Sequence, residues 1–130
     1  MYNILICDDQ PDIVNALKIY LAPEGYNLLA AYNGVDAVKI AKEQDVHLIL
    51  LDIMMPGMDG YEATRMIRSG ANPLGRTIPI IAMTANAFAE DVKKSLDAGM
   101  NAHLSKPVDL NALEQTLQRF RYEPSAEQPQ

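Results

Sequence analysis

Apolar residues in this chain fall into short blocks, separated by stretches in which they recur every three or four positions. The blocks are Tyr2–Cys7, Asn27–Ala31, His47–Leu51, Ile78–Met83 and the shorter Ala102–Leu104. Four of them are continuous or nearly so, without the alternation of a half-exposed strand. Such runs predict strands buried on both faces of a parallel sheet. Between them the spacing predicts helices. Ile13, Val14, Leu17 and Leu21 form one stripe, closed by Pro23 and Gly25. Ala37, Val38 and Ala41 form a second after Asn33-Gly34, and Ala63, Met66 and Ile67 a third after Asp59-Gly60. Phe88, Val92 and Leu96 repeat every four residues, and Gly99 suits the position just past a helix end. Leu110, Leu113, Leu117 and Phe120 make the last stripe, with Asp109 as its N-cap. All five stripes are expected to pack on the core.

This alternation predicts an α/β fold, a doubly wound (βα)5 sheet with right-handed crossovers. A chain of 130 residues buries about two-thirds of its unfolded surface, which supports one core. We therefore expect a single domain over residues 1–121. The stretch 122–130, polar and with two prolines, reads as a tail or the start of a linker. The segment Gly70–Thr77 is a longer loop than its neighbours.

Composition narrows the classes. A hydrophobic fraction of 48% argues against disorder. The formal charge of −6 argues against nucleic acid as the main partner, because phosphate binding relies on clustered Lys and Arg. No apolar run approaches the ~18 residues of a membrane span, and nothing resembles a signal peptide, so neither a membrane partner nor export is expected. The single cysteine, Cys7, cannot form an internal disulfide. Its place in an apolar run predicts a buried, inert thiol and a reducing, cytoplasmic setting.

Open α/β sheets bind ligands outside the carboxyl ends of their strands, so the residues just past each block matter. The first block leads into Asp8-Asp9, the third into Asp52, the fourth into Thr84 and the fifth into Ser105-Lys106-Pro107. The second leads into Tyr32-Asn33, a turn. Three carboxylates, a hydroxyl and an ammonium thus converge on one edge. Carboxylates that close together need protons or a counter-cation, and hard oxygen donors suit Mg²⁺. Neither His47 nor Cys7 completes a zinc set. With Lys106 opposite, a bound cation would make the edge receptive to a doubly charged oxyanion such as phosphate. Read singly, Asp8 and Asp9 could instead cap the first helix, Asp52 could begin a turn, and Thr84 could cap a helix.

The strand followed by Asp8-Asp9, the run Asp52-Ile-Met-Met-Pro-Gly-Met-Asp-Gly60, Met83-Thr84-Ala85 and Lys106-Pro107 together resemble the receiver domains of two-component response regulators. The resemblance runs from about Asn3 to Phe120. It implies a flavodoxin-like sheet of order 2-1-3-4-5 and a cis Lys106-Pro107 bond. It implies Asp52 as phosphoacceptor, with Mg²⁺ (or Mn²⁺) held by Asp9, Asp52 and the backbone carbonyl of Met54, and by Asp8 through water. Lys106 would pair with Asp52 and then with the phosphoryl group, and Thr84 would be the switch hydroxyl. The second switch position, commonly Phe or Tyr, is His103 here, read either as an exposed strand-end histidine or as a packing switch. The implied activity is phosphoryl transfer from a phosphohistidine and later self-dephosphorylation, a signalling module rather than a conventional turnover enzyme. Implied partners are a sensor histidine kinase or histidine phosphotransfer domain, with an output domain or a phosphorylation-dependent homodimer as further options.

The segments Ile78–Phe88 and Asp97–Pro107 and the long loop resemble receivers of hybrid sensor kinases. A first strand directly behind Met1 fits a free-standing or N-terminal receiver, and we expect one cut from, or beginning, a larger signalling protein. A haloacid-dehalogenase-type phosphatase needs a second Asp where Met54 stands. A flavin carrier needs a phosphate loop where Asp8-Asp9-Gln10-Pro11-Asp12 would repel one. The remaining rival is a receiver-fold module that binds partners without phosphorylation, against which the full Asp8/Asp9/Asp52/Thr84/Lys106 set argues.

Overall fold

The structure, a computed structural model, describes residues 2–85 and 89–126. The elements alternate along the chain as β1 (Asn3–Cys7), α1 (Pro11–Leu21), β2 (Asn27–Ala31), α2 (Gly34–Glu43), β3 (Leu48–Asp52), α3 (Gly60–Ser69), β4 (Ile80–Thr84), α4 (Ala89–Ala98), β5 (Ala102–Ser105) and α5 (Leu110–Ala126). The strands form one parallel sheet in the order β2-β1-β3-β4-β5.

The continuous apolar runs are the central strands. Ile4–Cys7, Leu48–Leu51 and Ile80–Met83 are inaccessible to solvent, as expected where helices cover both faces of a parallel sheet. The edge strands β2 and β5 are only partly buried. Alternate residues along each strand feed opposite faces. Leu5, Cys7, Ile49, Leu51, Ile80 and Ala82 pack with Ala37 and Ala41 of α2 and Ala63 and Ile67 of α3. Ile4, Ile6, Leu48, Leu50, Ile81 and Met83 pack with Val14, Leu17 and Leu21 of α1 and Leu113, Leu117 and Phe120 of α5.

Three of the stripe residues expected in the core are not there. Met66 is 45% exposed, Leu96 57% and Leu110 44%. The helices carrying the first two lie on the sheet through smaller groups: α3 buries Ala63, Thr64 and Ile67, and α4 buries Ser95 and Ala98. Leu110 is the first residue of α5, a turn ahead of the buried Leu113. Ile13, Val38 and Val92 are half-buried, and Phe88 lies outside the described residues.

Helix ends follow local chemistry. Asn33 and Asp59 cap α2 and α3 by accepting from the N–H groups of Asp36 (2.8 Å) and Glu62 (2.9 Å), and Asp109 accepts from that of Asn111 at 2.8 Å. Gly99 follows α4 with φ +108°. α5 continues to Ala126, into the stretch whose two prolines read as a tail. The long loop after α3 contains a 3₁₀ turn, Pro73–Arg76, and is held by Arg68. Its guanidinium donates to the carbonyls of Gly75 (3.0 Å), Ile78 (2.6 Å) and Gly99 (2.7 Å), and to Asn101 Oδ1 at 2.8 Å. Among the described residues no helix is long and apolar enough to cross a membrane.

Candidate functional site

The carboxyl edge of the sheet gathers the residues expected there. Asp8 follows β1, Asp52 ends β3 and Thr84 ends β4, and all three are buried, at 0%, 2% and 5% exposure. Asp9 is exposed. One carboxylate oxygen from each of Asp8, Asp9 and Asp52 lies within 4.8 Å of the others. Strand register sets these positions: Asp52 is opposite Met83, and Thr84, one residue further, is opposite Ser105. Lys106 follows directly, and its N–H donates to the Thr84 carbonyl at 2.8 Å. The Lys106-Pro107 bond is cis. Met54, two residues beyond Asp52, is 69% exposed.

Asp8 and Asp9 do not cap the first helix. Its N-cap, Gln10, makes no side-chain cap bond, and Pro11 opens the helix, where a missing N–H costs nothing. Asp8 Oδ1 instead accepts from the N–H of Gln10 at 3.0 Å, a short Asx turn that leaves Oδ2 aimed elsewhere. That oxygen is buried and pairs with the ammonium of Lys106 at 2.8 Å, a charge-assisted contact. The same ammonium is 3.0 Å from Asp52 Oδ1.

One cation facing three carboxylates leaves the cluster short of positive charge. The Asp52 carboxyl is pushed up to about 6: burial raises it most, Lys106 pulls it back, and the neighbouring Asp8 and Asp9 raise it further. For Lys106 burial acts to lower the pKa, but Asp8 and Asp52 together outweigh it and the ammonium is raised. The site therefore holds Lys106 charged and makes ionised Asp52 expensive until more positive charge arrives. Three hard oxygen donors within 4.8 Å of one another, balanced by a single ammonium, fit Mg²⁺.

Two features of the site carry little or no signal in the sequence. The Gln10 N–H that orients Asp8 is a backbone group, independent of residue type. Gly60 is buried against the site from below: a Cβ there would lie 2.6 Å from the Asp52 carbonyl oxygen. The Asp59-Gly60 pair reads as a helix start, and it also lets α3 begin against the backbone of Asp52. His103 lies on β5 and is exposed. Cys7 is buried as expected. Its thiol donates to the Asn33 carbonyl at 3.4 Å and contacts Met55 Sδ at 3.6 Å. Burial first, then the acidic neighbours, push it up to about 12. His47 lies at the opposite end of the sheet, accepting the Asn3 N–H on Nδ1 at 2.9 Å and stacking on Tyr2.

Comparison with known proteins identifies the family and the fold. Residues 4–118 match the model of the response regulator receiver domain. The chain is 43% identical over 114 residues to sensor histidine kinase RcsC of Salmonella typhi, covering 88% of this chain but 12% of that protein. It therefore spans about an eighth of that relative. Among solved structures it is similar to the receiver domain of sensor histidine kinase PA1611 from Pseudomonas aeruginosa PAO1. The identity is 40%, the TM-score 0.82, and the match covers 92% of this chain and 96% of that one. That neighbour has a magnesium ion coordinated in its active site cleft. The receiver domain of Ssk1 from Saccharomyces cerevisiae is 31% identical with TM-score 0.83, over 92% of this chain and 88% of the other, and was crystallised with the histidine phosphotransfer protein Ypd1. The chain belongs to the receiver domain family of two-component signalling.

Proposed function

We propose that this receiver accepts a phosphoryl group on Asp52 from a phosphohistidine, with Mg²⁺ held by Asp8, Asp9, Asp52 and the backbone carbonyl of Met54. The observation that carries the reading is the pairing of a buried strand-end carboxylate, Asp52, with Lys106 at 3.0 Å inside a cluster of two further carboxylates. In the transfer, an Asp52 carboxylate oxygen attacks phosphorus while the phosphorus–nitrogen bond to imidazole breaks. The imidazole nitrogen takes the electron pair and a proton, and Asp52 becomes an acyl phosphate. The bound cation would supply charge neutralisation for the incoming phosphoryl oxygens and for the three carboxylates.

The protein's own groups do the positioning. Lys106 already stands beside the nucleophile and can pass from Asp52 to a phosphoryl oxygen without moving far. Thr84, at the adjacent strand end, offers a hydroxyl to another. Phosphoryl transfer asks mainly for such alignment and for neutralised oxygens. Once Asp52 is phosphorylated, the positions of Thr84 and of His103 on β5 carry the change to the surface. Water attacking the same phosphorus returns Asp52 and phosphate. The donor is a sensor histidine kinase or a histidine phosphotransfer domain, a partner class supported by the likeness to RcsC and to the Ssk1 receiver.

The test is intact mass after incubation with acetyl phosphate or phosphoramidate, with Mg²⁺ and with chelator. Addition of one phosphoryl group that requires both the metal and Asp52, and is absent in Asp52→Asn, is the expected result. No addition to the folded protein under any condition would refute the reading and leave a module that binds without phosphorylation.

A further inference from the structure

The segment Ile53–Asp59 leaves the end of β3 and returns to the start of α3, with Met54 exposed on it, two residues past Asp52. Its inner end is pinned at Ile53. The Ile53 N–H donates to the Met83 carbonyl (3.1 Å), and its own carbonyl accepts from Met55 (3.2 Å) and Gly60 (2.9 Å). Met55 is buried, with its sulfur against Cys7. The outer end rests on α2. A Cβ built on Gly34, the first residue of that helix, would lie 2.6 Å from the Met58 carbonyl oxygen and 2.9 Å from Met58 Cγ.

Glycine at position 34 is not required by the backbone, since its φ is outside the left-handed region. Helix propensity alone would favour alanine there. The close approach to Met58 is what needs it. Nor is α2 free to retreat. Asn33 caps it through Asp36, and the Asn33 carbonyl accepts from the Cys7 thiol at 3.4 Å and from the Ala37 N–H at 3.2 Å. The β2–α2 junction is also tied to the acidic edge, because the Asp8 N–H donates to the Ala31 carbonyl at 3.2 Å. A methyl group at position 34 would therefore act on the side that gives, the β3–α3 loop.

We propose that Gly34 is a positioning residue for the Mg²⁺ site: by letting α2 seat directly on Met58 it fixes the path of the loop that presents the Met54 carbonyl. The inference rests on the metal role proposed above for that carbonyl and the three carboxylates. Gly34 touches neither metal nor substrate, and acts only through the loop.

Calorimetric Mg²⁺ titration of wild type and Gly34→Ala, each checked as folded by circular dichroism, tests it. The variant should bind roughly tenfold more weakly, at the lower end of what loss of an outer-shell contact costs a metal site. Its phosphorylation should recover as Mg²⁺ is raised. A purely structural role would lower the melting temperature and leave the affinity of the folded protein alone, so an unchanged affinity overturns the inference. If Gly34→Ala does not fold, wild-type amide shifts decide. On Mg²⁺ addition the Gly34 amide should move with the same midpoint as those of Met54, Met55 and Met58, and a stationary Gly34 amide overturns it. Failure of wild type to bind Mg²⁺ at all would instead remove the proposed function, a separate outcome.

Discussion

Lys106 meets Asp52 at 3.0 Å although a whole strand, β4, lies between the two strands that carry them. The contact depends on Lys106 standing one residue past the end of β5, where its side chain crosses in front of β4 toward Asp52 and Asp8. It joins the two outer members of a three-strand edge, and it is the one cation beside the carboxylate cluster among the described residues.

Asp52→Asn should stabilise the metal-free protein at neutral pH. A carboxyl whose folded pKa is raised from 3.8 to about 6 favours the folded state while protonated. That stability is fully present below about 3.8 and is lost as pH rises through about 6. The shift of about 2 units corresponds to an upper bound of about 3 kcal/mol. Lys106 loses one carboxylate partner in the variant, so a gain of about 1–2 kcal/mol is expected at pH 8. Thermal melts without metal at pH 8 and pH 4 should show the gap at the first and none at the second. For the same reason, Mg²⁺ should raise the wild-type melting temperature more at pH 8 than at pH 5, where the proton competes for Asp52.

Lys106→Met should do the opposite. It strips Asp8 Oδ2, which is inaccessible to solvent, of the ammonium that pairs with it at 2.8 Å. Breaking such a pair from one side should cost about 3 kcal/mol without metal, read by urea unfolding. Addition of Mg²⁺ should restore much of that loss. Phosphorylation from acetyl phosphate should remain slow, by about 10²-fold, because an oxyanion contact is gone.

Most of this architecture was legible because parallel strands covered on both faces must be apolar throughout, and Ile4–Cys7, Leu48–Leu51 and Ile80–Met83 are. The site residues were legible because each stands at or just past a strand end, and the sheet brings strand ends together. The helices were less readable. Periodicity marks an apolar face but not which part of it meets the sheet, so Met66, Leu96 and Leu110 read as core while Thr64 and Ser95 took the buried positions. Thr64 satisfies its hydroxyl on the Gly60 carbonyl at 2.8 Å and Ser95 on that of Asp91 at 3.0 Å, which is how polar residues become tolerable there. Backbone contacts such as Gln10 on Asp8 leave no trace in residue type.

Arg68→Met should destabilise without touching the chemistry. Burial lowers the guanidinium pKa, and its partners are neutral acceptors on Gly75, Ile78, Gly99 and Asn101. Removing the donors orphans carbonyls on two loops at once, for a loss of roughly 2–4 kcal/mol in urea unfolding. The folded variant should take up phosphate at the wild-type rate. A rate that fell with stability intact would show that the clamp reaches the site.

Cys7 should be silent to thiol reagents in the native protein. A buried thiol with its pKa pushed up to about 12 has almost no thiolate at pH 8. Reaction with a chromogenic disulfide should therefore wait for denaturant. Prompt modification of the native protein would mean that the β1 end opens readily.

The central claim is that Asp52, and no other group, carries the phosphoryl. Reduction of the phosphorylated protein with borohydride converts an aspartyl phosphate to homoserine, which peptide mass mapping locates. The account predicts homoserine at position 52 alone, and only when donor and Mg²⁺ were both present. Homoserine at position 8 or 9, or phosphate retained on a histidine with Asp52 unaltered, would contradict it.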